Sequence, residues 1–285
     1  MTDSNPAPRW SIPQMHSVLQ CMATAGRAIL DVYDSDETVI ATQKADQSPL
    51  TEADLASHRI LAQGLADWGW LILSEEDTRN HAATTRSQAD TLWLVDPLDG
   101  TKEFLRRSGE FAINVALVHQ GEVIWGAVHA PVLQTTWFGG KHYGAWRMDA
   151  DADPRQASAI RIAAPAQRPV RILASRDHRG DGEATVLARL DASEWGPATC
   201  IQQGSALKYS AIAQGNADFM LRLHPCMEWD VAAPQAILEA AGGAVFDLHG
   251  QPLRYNQSES LLVPSLVAIG DASLPWRIWM EPESA

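Results

Sequence analysis

The segment WLVDPLDGTKEF, Trp93 to Phe104, constrains this chain more than any other. Large apolar residues run straight into Asp96; Pro97 and Leu98 follow, then Asp99, Gly100 and Thr101. Such a run reads as a buried strand. Two carboxylates placed together at its end are costly, because like charges repel and burial penalises both. Pro97 restrains the backbone as the strand ends. The turn can aim Asp96 and Asp99 at one point and leave the Leu98 carbonyl free beside them. Gly100 lets a ligand approach the backbone closely. Thr101 begins a helical turn whose N–H and dipole suit a phosphate oxygen. A plain strand-ending turn uses the same residue types, so the motif alone does not choose between the two readings.

The other acidic groups tip the balance. Glu75-Glu76 closes the apolar run GWLILS, and Asp230, in Glu228-Trp229-Asp230, opens a helical stretch that ends in Gly242-Gly243. Singly, Glu75-Glu76 reads as surface charge and Asp230 as a partner of the helix dipole. Combined with Asp96 and Asp99, they read as hard oxygen ligands of the kind that suits Mg²⁺. Thr51-Glu52-Ala53-Asp54 fits a helix capping box, and a cap also leaves its carboxylate at a helix start, often facing a cleft. The alternation Asp149-Asp151-Asp153 begins like a calcium loop. Pro154 then stands where glycine is needed, and Ile160 where a bidentate glutamate is needed, so this stretch reads as a solvated linker.

The charge count, 22 basic against 35 acidic residues, gives a net −13. That surface does not invite nucleic acid or anionic lipid. An anionic substrate would need a local reversal of sign, which bound divalent cations supply. Cys21, Cys200 and Cys226 are odd in number and far apart, as expected of buried thiols in a reducing cytoplasm. The nine histidines include no HExxH, and there is no GxSxG or Cys-His signature, so no covalent nucleophile is expected. MTDSNPAPRW lacks the pattern of a signal peptide, and no apolar run approaches the ~18 residues that span a bilayer. The expectation is a soluble cytoplasmic protein without an integral membrane segment. A peripheral place on the inner membrane face stays open.

At 285 residues the length suggests about two domains. Ser11 caps a first helix with Pro13 in its first turn and Met15, Val18, Leu19, Met22, Ile29 and Leu30 at helical spacing. A short strand is expected around Thr38–Thr42. A helix of about four turns follows within SPLTEADLASHRILAQGLADW. GWLILSEE and TLWLVD read as strands ending in acid, FAINVALVHQGEVIWGAVHA as a hairpin about Gln120-Gly121, and TTWFGGKHYGAWRM as a second strand pair. DADADPRQAS marks a boundary. Beyond it VRILAS, EATVLARL, ATCIQQ, ALKYSAIAQ, DFMLRL, VAAPQAILEAAGG, AVFDL and LVAIG alternate strand and helix. The fold class is α/β: an α+β N-terminal half over residues 1–155 and an α/β C-terminal half over 156–285.

The ordered set TEAD, Glu-Glu, DPLDGT, then Trp-Asp and Gly-Gly resembles the lithium-sensitive, magnesium-dependent phosphatases of the inositol monophosphatase superfamily. The likeness runs from about Ser48 to the C-terminus. KADQSPLTEAD, LSEED, DPLDGTKEF, SRDH, GSALK and EWDVAA resemble its CysQ-type 3'(2'),5'-bisphosphate nucleotidases. Trp276 and Trp279 lie outside these motifs. The resemblance implies a layered αβαβα sandwich of the sugar-phosphatase type with metals at the junction of the two halves. It implies two Mg²⁺ per active site, with a weaker third near Glu75. Glu75, Asp96 and the Leu98 carbonyl would hold one; Asp96, Asp99 and Asp230 the other. Glu75, Asp54 and Thr101 would be the catalytic residues, with Thr101 and Asp54 orienting a metal-activated water and taking its proton.

The substrate implied by the resemblance is 3'-phosphoadenosine 5'-phosphate, cut to AMP and phosphate during sulfate assimilation. Gly100 and Thr101 would meet the reacting phosphate. The second phosphate needs its own donors, for which Ser175, Arg176 and His178 in ASRDH, Ser205 and Lys208 in GSALK, and Arg222 are candidates. Lys208 lies about one turn after Ser205 and can share its helix face, and Gly204-Ser205 at a helix start can offer N–H groups. One alternative keeps the chemistry with inositol or another sugar monophosphate as substrate. Another is a metal-loaded nucleotide-binding protein without turnover. The partner is a small phosphorylated molecule, and the oligomeric state stays open between monomer and homodimer.

Overall fold

The computed structural model describes residues 7–8, 11–35, 42–43, 49–77, 82–162, 165–166, 168–174 and 181–280. Helix α1 (Ile12–Tyr33) starts where expected: the Ser11 hydroxyl accepts the Gln14 N–H at 3.4 Å, and the Gln14 side chain reaches back to the Ser11 N–H at 2.9 Å. Of the strand expected around Thr38–Thr42, only Thr42 lies within the described residues; there β1 (Thr42–Gln43) pairs antiparallel with β2 (Pro49–Leu50). Helix α2 (Glu52–Ala66) packs beside α1. Gly64 permits the close approach, since a Cβ there would collide with the Cys21 sulfur.

Seven strands follow as one sheet in chain order: β3 (Leu71–Ser74), β4 (Thr91–Asp99), β5 (Ala112–His119), β6 (Glu122–Ala130), β7 (Thr135–Gly140), β8 (Gly144–Asp149) and β9 (Ser158–Ala159). Only the β3–β4 pair is parallel. The β5–β6 hairpin turns on Gln120 (φ 50°) and Gly121 (φ 78°), the left-handed pair that a two-residue loop requires. Between β3 and β4 lie a single 3₁₀ turn, Glu75–Asp77, and the short α3 (Ala83–Arg86); α4 (Thr101–Leu105) joins β4 to β5. β9 lies just past position 155 and still pairs with β8.

The rest of the chain forms β10 (Arg171–Ala174), α5 (Asp181–Ala192), β11 (Thr199–Gln202), α6 (Leu207–Ala213), β12 (Phe219–Arg222), β13 (Cys226–Met227), α7 (Glu228–Ala240), β14 (Ala244–Asp247), β15 (Leu262–Val263), β16 (Leu266–Ile269) and α8 (Trp276–Met280). Five of these strands form a second sheet in the order β11-β10-β12-β16-β14, with β10 parallel to both neighbours. β13 and β15 form a separate antiparallel pair.

Side-chain alternation converts the two sheets into layers. Trp93 and Val95 of β4, with Ile113, Val115 and Leu117 of β5, face α1 and α2. Leu92, Leu94, Ala116 and Val118 face the other way, into a core shared with α6, α7 and the second sheet. The outer face of that sheet, through Ile172, Phe219 and Val267, buries Val186 and Leu190 of α5 and the tryptophans of α8. The order is therefore helix, sheet, helix, sheet, helix, the αβαβα sandwich expected. The C-terminal tryptophans complete the last layer: Trp279 meets Phe219 edge-on at 5.5 Å and Trp276 stacks on Phe246 at 6.3 Å.

Candidate active site

The opening segment does more than end a strand. β4 does not stop at Asp96: pairing resumes at Asp99, with Asp96 opposite Asn114 and Asp99 opposite Ala112. Pro97 and Leu98 thus oppose a single residue, Ile113, which makes a bulge. Pro97 has no N–H to give the ladder, so the irregularity falls where it costs least. The bulge is pinned on both sides. The Ser57 hydroxyl donates to the Pro97 carbonyl at 2.7 Å, and the Leu98 N–H donates to Asp96 Oδ1 at 3.0 Å. Gly100 then takes φ 92°, and a Cβ there would press on the Glu110 carbonyl at 3.1 Å and on Ser205 Cβ at 3.2 Å. The helix that follows, α4, has only five residues. What it presents is local N–H groups rather than the dipole of a long helix.

The bulge delivers Asp96 into a group of acids. One carboxylate oxygen from each of Glu75, Asp96 and Asp230 lies within 4.8 Å of the others, the only such group among the described residues. Glu75 comes from the turn after β3, Asp96 from β4, and Asp230 from the first turn of α7. Burial pushes the Asp96 carboxyl well above its usual range, and Glu75, Asp99 and Asp230 push it further. Asp230 is raised to about 7, again by burial first and then by Asp99, while Arg222 at 3.7 Å opposes the shift. Asp99 is raised by burial, offset by Lys208 and by the Ala206 N–H that one of its oxygens accepts. Asp99 therefore stands beside the trio rather than within it.

Carboxylates crowded so closely repel one another, and the cation Arg222 reaches them at Asp230. Hard oxygen donors on three rigid elements fit a divalent cation such as Mg²⁺. Glu75, Asp96 and Asp230 are placed to hold it, with Asp99 and the Leu98 carbonyl adjoining. The Leu98 carbonyl meets the Thr101 hydroxyl at 3.3 Å.

Asp54 caps α2 and also reaches the DPLDGT turn. It is buried, and Oδ2 accepts the Thr51 N–H at 2.8 Å and the Thr51 hydroxyl at 2.5 Å, which caps α2. Oδ1 faces the Thr101 hydroxyl at 3.3 Å. One carboxylate thus joins the helix cap to the DPLDGT turn.

Beside the acids opens a cleft of about 190 Å³, lined by Asp99, Gly100, Ser205, Lys208, Arg222 and Asp230 among others. Ser175, Arg176 and His178 lie outside the described residues. Two details of the GSALK reading need correction. Ser205 is not on α6: the helix starts at Leu207, and Ser205 precedes it with φ 51°. The nearby N–H groups are also committed, Gly204 to Glu110 at 3.0 Å and Ala206 to Asp99. What the segment offers is the Ser205 hydroxyl and Lys208. Burial lowers the Lys208 pKa, opposed by Asp99, and its Nζ lies 3.5 Å from the Gln203 carbonyl. The cleft also contains Glu103, Glu183, Tyr209 and His224, which sequence reasoning missed. Tyr209 directly adjoins Lys208, and Glu103 and His224 each lie two residues past a predicted one; Glu183 carried no signal.

The family model for the inositol monophosphatase family matches residues 14–275. The chain belongs to that family. It is 38% identical over 252 residues to the 3'(2'),5'-bisphosphate nucleotidase CysQ of Salmonella typhimurium, across 88% of this chain and 97% of the relative. It is 37% identical, with the same coverage, to the protein of that name from Escherichia coli K12. The solved structure of CysQ from Bacteroides thetaiotaomicron, a bacterial member of the family, superposes with a TM-score of 0.82 at 32% identity, covering 93% of this chain and 99% of that one. Proteins of the family are metal-dependent, generally on Mg²⁺. Among the described residues no helix is long and apolar enough to cross a membrane.

Proposed function

We propose that this chain is a Mg²⁺-dependent 3'(2'),5'-bisphosphate nucleotidase that hydrolyses the 3'-phosphate of 3'-phosphoadenosine 5'-phosphate, giving AMP and phosphate, in the cytoplasm during sulfate assimilation. One observation carries the reading: the cleft that holds the cations Lys208 and Arg222 is also lined by Asp99 and by Asp230, a member of the acidic trio. A substrate with two phosphates has a use for both ends, whereas a sugar monophosphate has a use for one. The names borne by the relatives at 37–38% identity, 3'(2'),5'-bisphosphate nucleotidases, support a bisphosphate nucleotide as substrate.

Glu75, Asp96 and Asp230, with Asp99 and the Leu98 carbonyl, would hold two Mg²⁺, with a weaker third near Glu75. When bound, the ions neutralise phosphoryl charge and acidify water. The chain's own residues do the rest. Asp54, anchored through Oδ2 to Thr51, keeps Oδ1 on the Thr101 hydroxyl. Thr101 so held turns its oxygen to an attacking water, and the proton passes through that hydroxyl to Asp54. Gly100 lines the cleft that takes the reacting phosphate, and its missing side chain lets Glu110 and Ser205 close in beside it. Lys208, Arg222 and Ser205 receive the second phosphate, together with Ser175 and His178. Residues 1–155 would supply most ligands, and 156–285 Asp230 and the recognition residues.

The test is phosphate release from 3'-phosphoadenosine 5'-phosphate and inositol 1-phosphate, side by side, with Mg²⁺ and with chelator. The expected result is a strong preference for the nucleotide that chelator abolishes. Preference for the sugar phosphate would remove the role given to Lys208 and Arg222.

A further inference from the structure

Asp230 reaches the acidic trio from α7, whereas Glu75 and Asp96 come from the first sheet and its turns. A site split this way depends on how firmly α7 is registered against that sheet. The apolar faces of α7, with its Ala233 backbone close over Gly126, hold it in place but supply no directional hydrogen bond.

A buried polar bracket does. Arg86, Glu228 and Asn256 meet away from the residues that line the cleft. Glu228 opens α7 and is 3% exposed; Arg86 ends α3 and is 4% exposed. The Asn256 N–H donates to both Glu228 oxygens, at 2.8 and 3.0 Å. Arg86 donates to Asn256 Oδ1 at 3.1 Å and to the Glu259 carbonyl at 2.6 Å, and the Asn256 side-chain amide donates back to the Arg86 carbonyl at 2.8 Å. The Glu228 N–H donates to the Leu261 carbonyl at 2.8 Å, and β13–β15 pairing continues directly from there. Asn256 holds φ 54°, a left-handed turn kept by these contacts. The bracket thus spans two ligand-bearing stretches. Arg86 stands between the Glu75 turn and β4, and Glu228 stands two residues before Asp230.

We infer that the Arg86–Glu228–Asn256 bracket positions Asp230 against Glu75 and Asp96, and thereby sets the affinity of the site for divalent cation. The inference rests on the reading of those three carboxylates as metal ligands. Directional hydrogen bonds fix register where apolar contact does not, and metal ligands tolerate only about 0.5 Å of misplacement. Loss of supporting polar partners around metal ligands typically costs 10–100-fold in affinity.

The experiment is calorimetric titration of the metal-free chain with Mn²⁺ and Mg²⁺, without substrate, alongside its melting temperature. Glu228→Gln keeps the shape and removes the charge. Asn256→Ala removes the side-chain half of the bracket and serves if the first variant does not fold. Trp279→Phe, in the outer layer, controls for destabilisation alone. Glu228→Gln and Asn256→Ala are expected to weaken metal binding about tenfold or more, and excess Mg²⁺ to restore phosphate release. Trp279→Phe should lower the melting temperature and leave metal affinity unchanged. Metal affinity at the wild-type value in both bracket variants, with only the melting temperature lowered, overturns the inference. Asp96→Asn and Asp230→Asn report separately on its premise: wild-type metal binding there would instead remove the ligand reading.

Discussion

The acidic trio and the cationic cleft beside it, the two ends of one site, are built on different plans. Glu75 sits in the turn after β3, Asp96 at the bulge of β4 and Asp230 in the first turn of α7, and they share one sign of charge. Lys208 and Arg222 reach into the cleft on long side chains, and each faces an acid, Asp99 or Asp230. The first end is rigid and internally repulsive, so it needs a cation. The second is internally compensated and can tolerate an empty state. On the proposed function, chemistry falls where geometry is fixed, and substrate choice where long side chains reach the cleft. The two ends should therefore respond differently to substitution.

The largest difference should come from the acidic end. Asp96→Asn removes a charge from the centre of the trio, and phosphate release should fall by at least about 10³-fold for every substrate. Circular dichroism should stay native, since the asparagine removes a raised, repulsive carboxyl rather than a packed side chain. A substrate-dependent loss would mean that the two ends are not separable. Thr101→Val comes next. Without a hydroxyl to pass a proton to Asp54, turnover should fall about 10²-fold or more, while Thr101→Ser should recover most of it. Equal loss in both variants would assign Thr101 to packing.

These residues also mark what the sequence could and could not disclose. The alternation of strands and helices, the hairpin at Gln120-Gly121 and the grouping of the acids were legible, because periodicity, turn chemistry and acids at strand ends are local signals; the αβαβα order came from the family resemblance. The bulge was not. Whether β4 stops at Asp96 or resumes at Asp99 depends on its register with Ala112 and Asn114, a non-local fact. The bracket was invisible for the same reason, since Arg86 and Asn256 lie 170 positions apart. Glu183 fell within a stretch that read as an ordinary helix, and only folding shows that it turns to the cleft. The two-residue strands β13 and β15 are too short to carry any period.

The cationic end should yield a smaller and selective effect. A hydrogen bond to a charged group contributes about 1.5–3 kcal/mol, or roughly 10–100-fold in binding. Lys208→Met should raise KM for 3'-phosphoadenosine 5'-phosphate by that factor and leave inositol 1-phosphate turnover within about twofold. Parallel loss on both substrates would make Lys208 a support for Asp99 rather than a phosphate contact.

The smallest effect is on stability, and its sign is diagnostic. Asp230 titrates near 7 in the folded chain, against an ordinary 3.8, because burial and then Asp99 disfavour its charge. Asp96 is shifted the same way. Between those values the folded state holds more protons than the unfolded one, so stability falls as pH rises. The contribution is complete below about 4 and is lost as pH passes 7. The metal-free chain should thus melt several degrees higher at pH 5.5 than at pH 8. Saturating Mg²⁺ should remove or reverse that difference, because cation binding favours the ionised carboxylates that the bare fold disfavours. The cationic end predicts no such reversal, since Lys208 and Arg222 already face acids. A chelated chain that melts higher at pH 8 would show that the trio is not the self-repelling, cation-demanding end of this site.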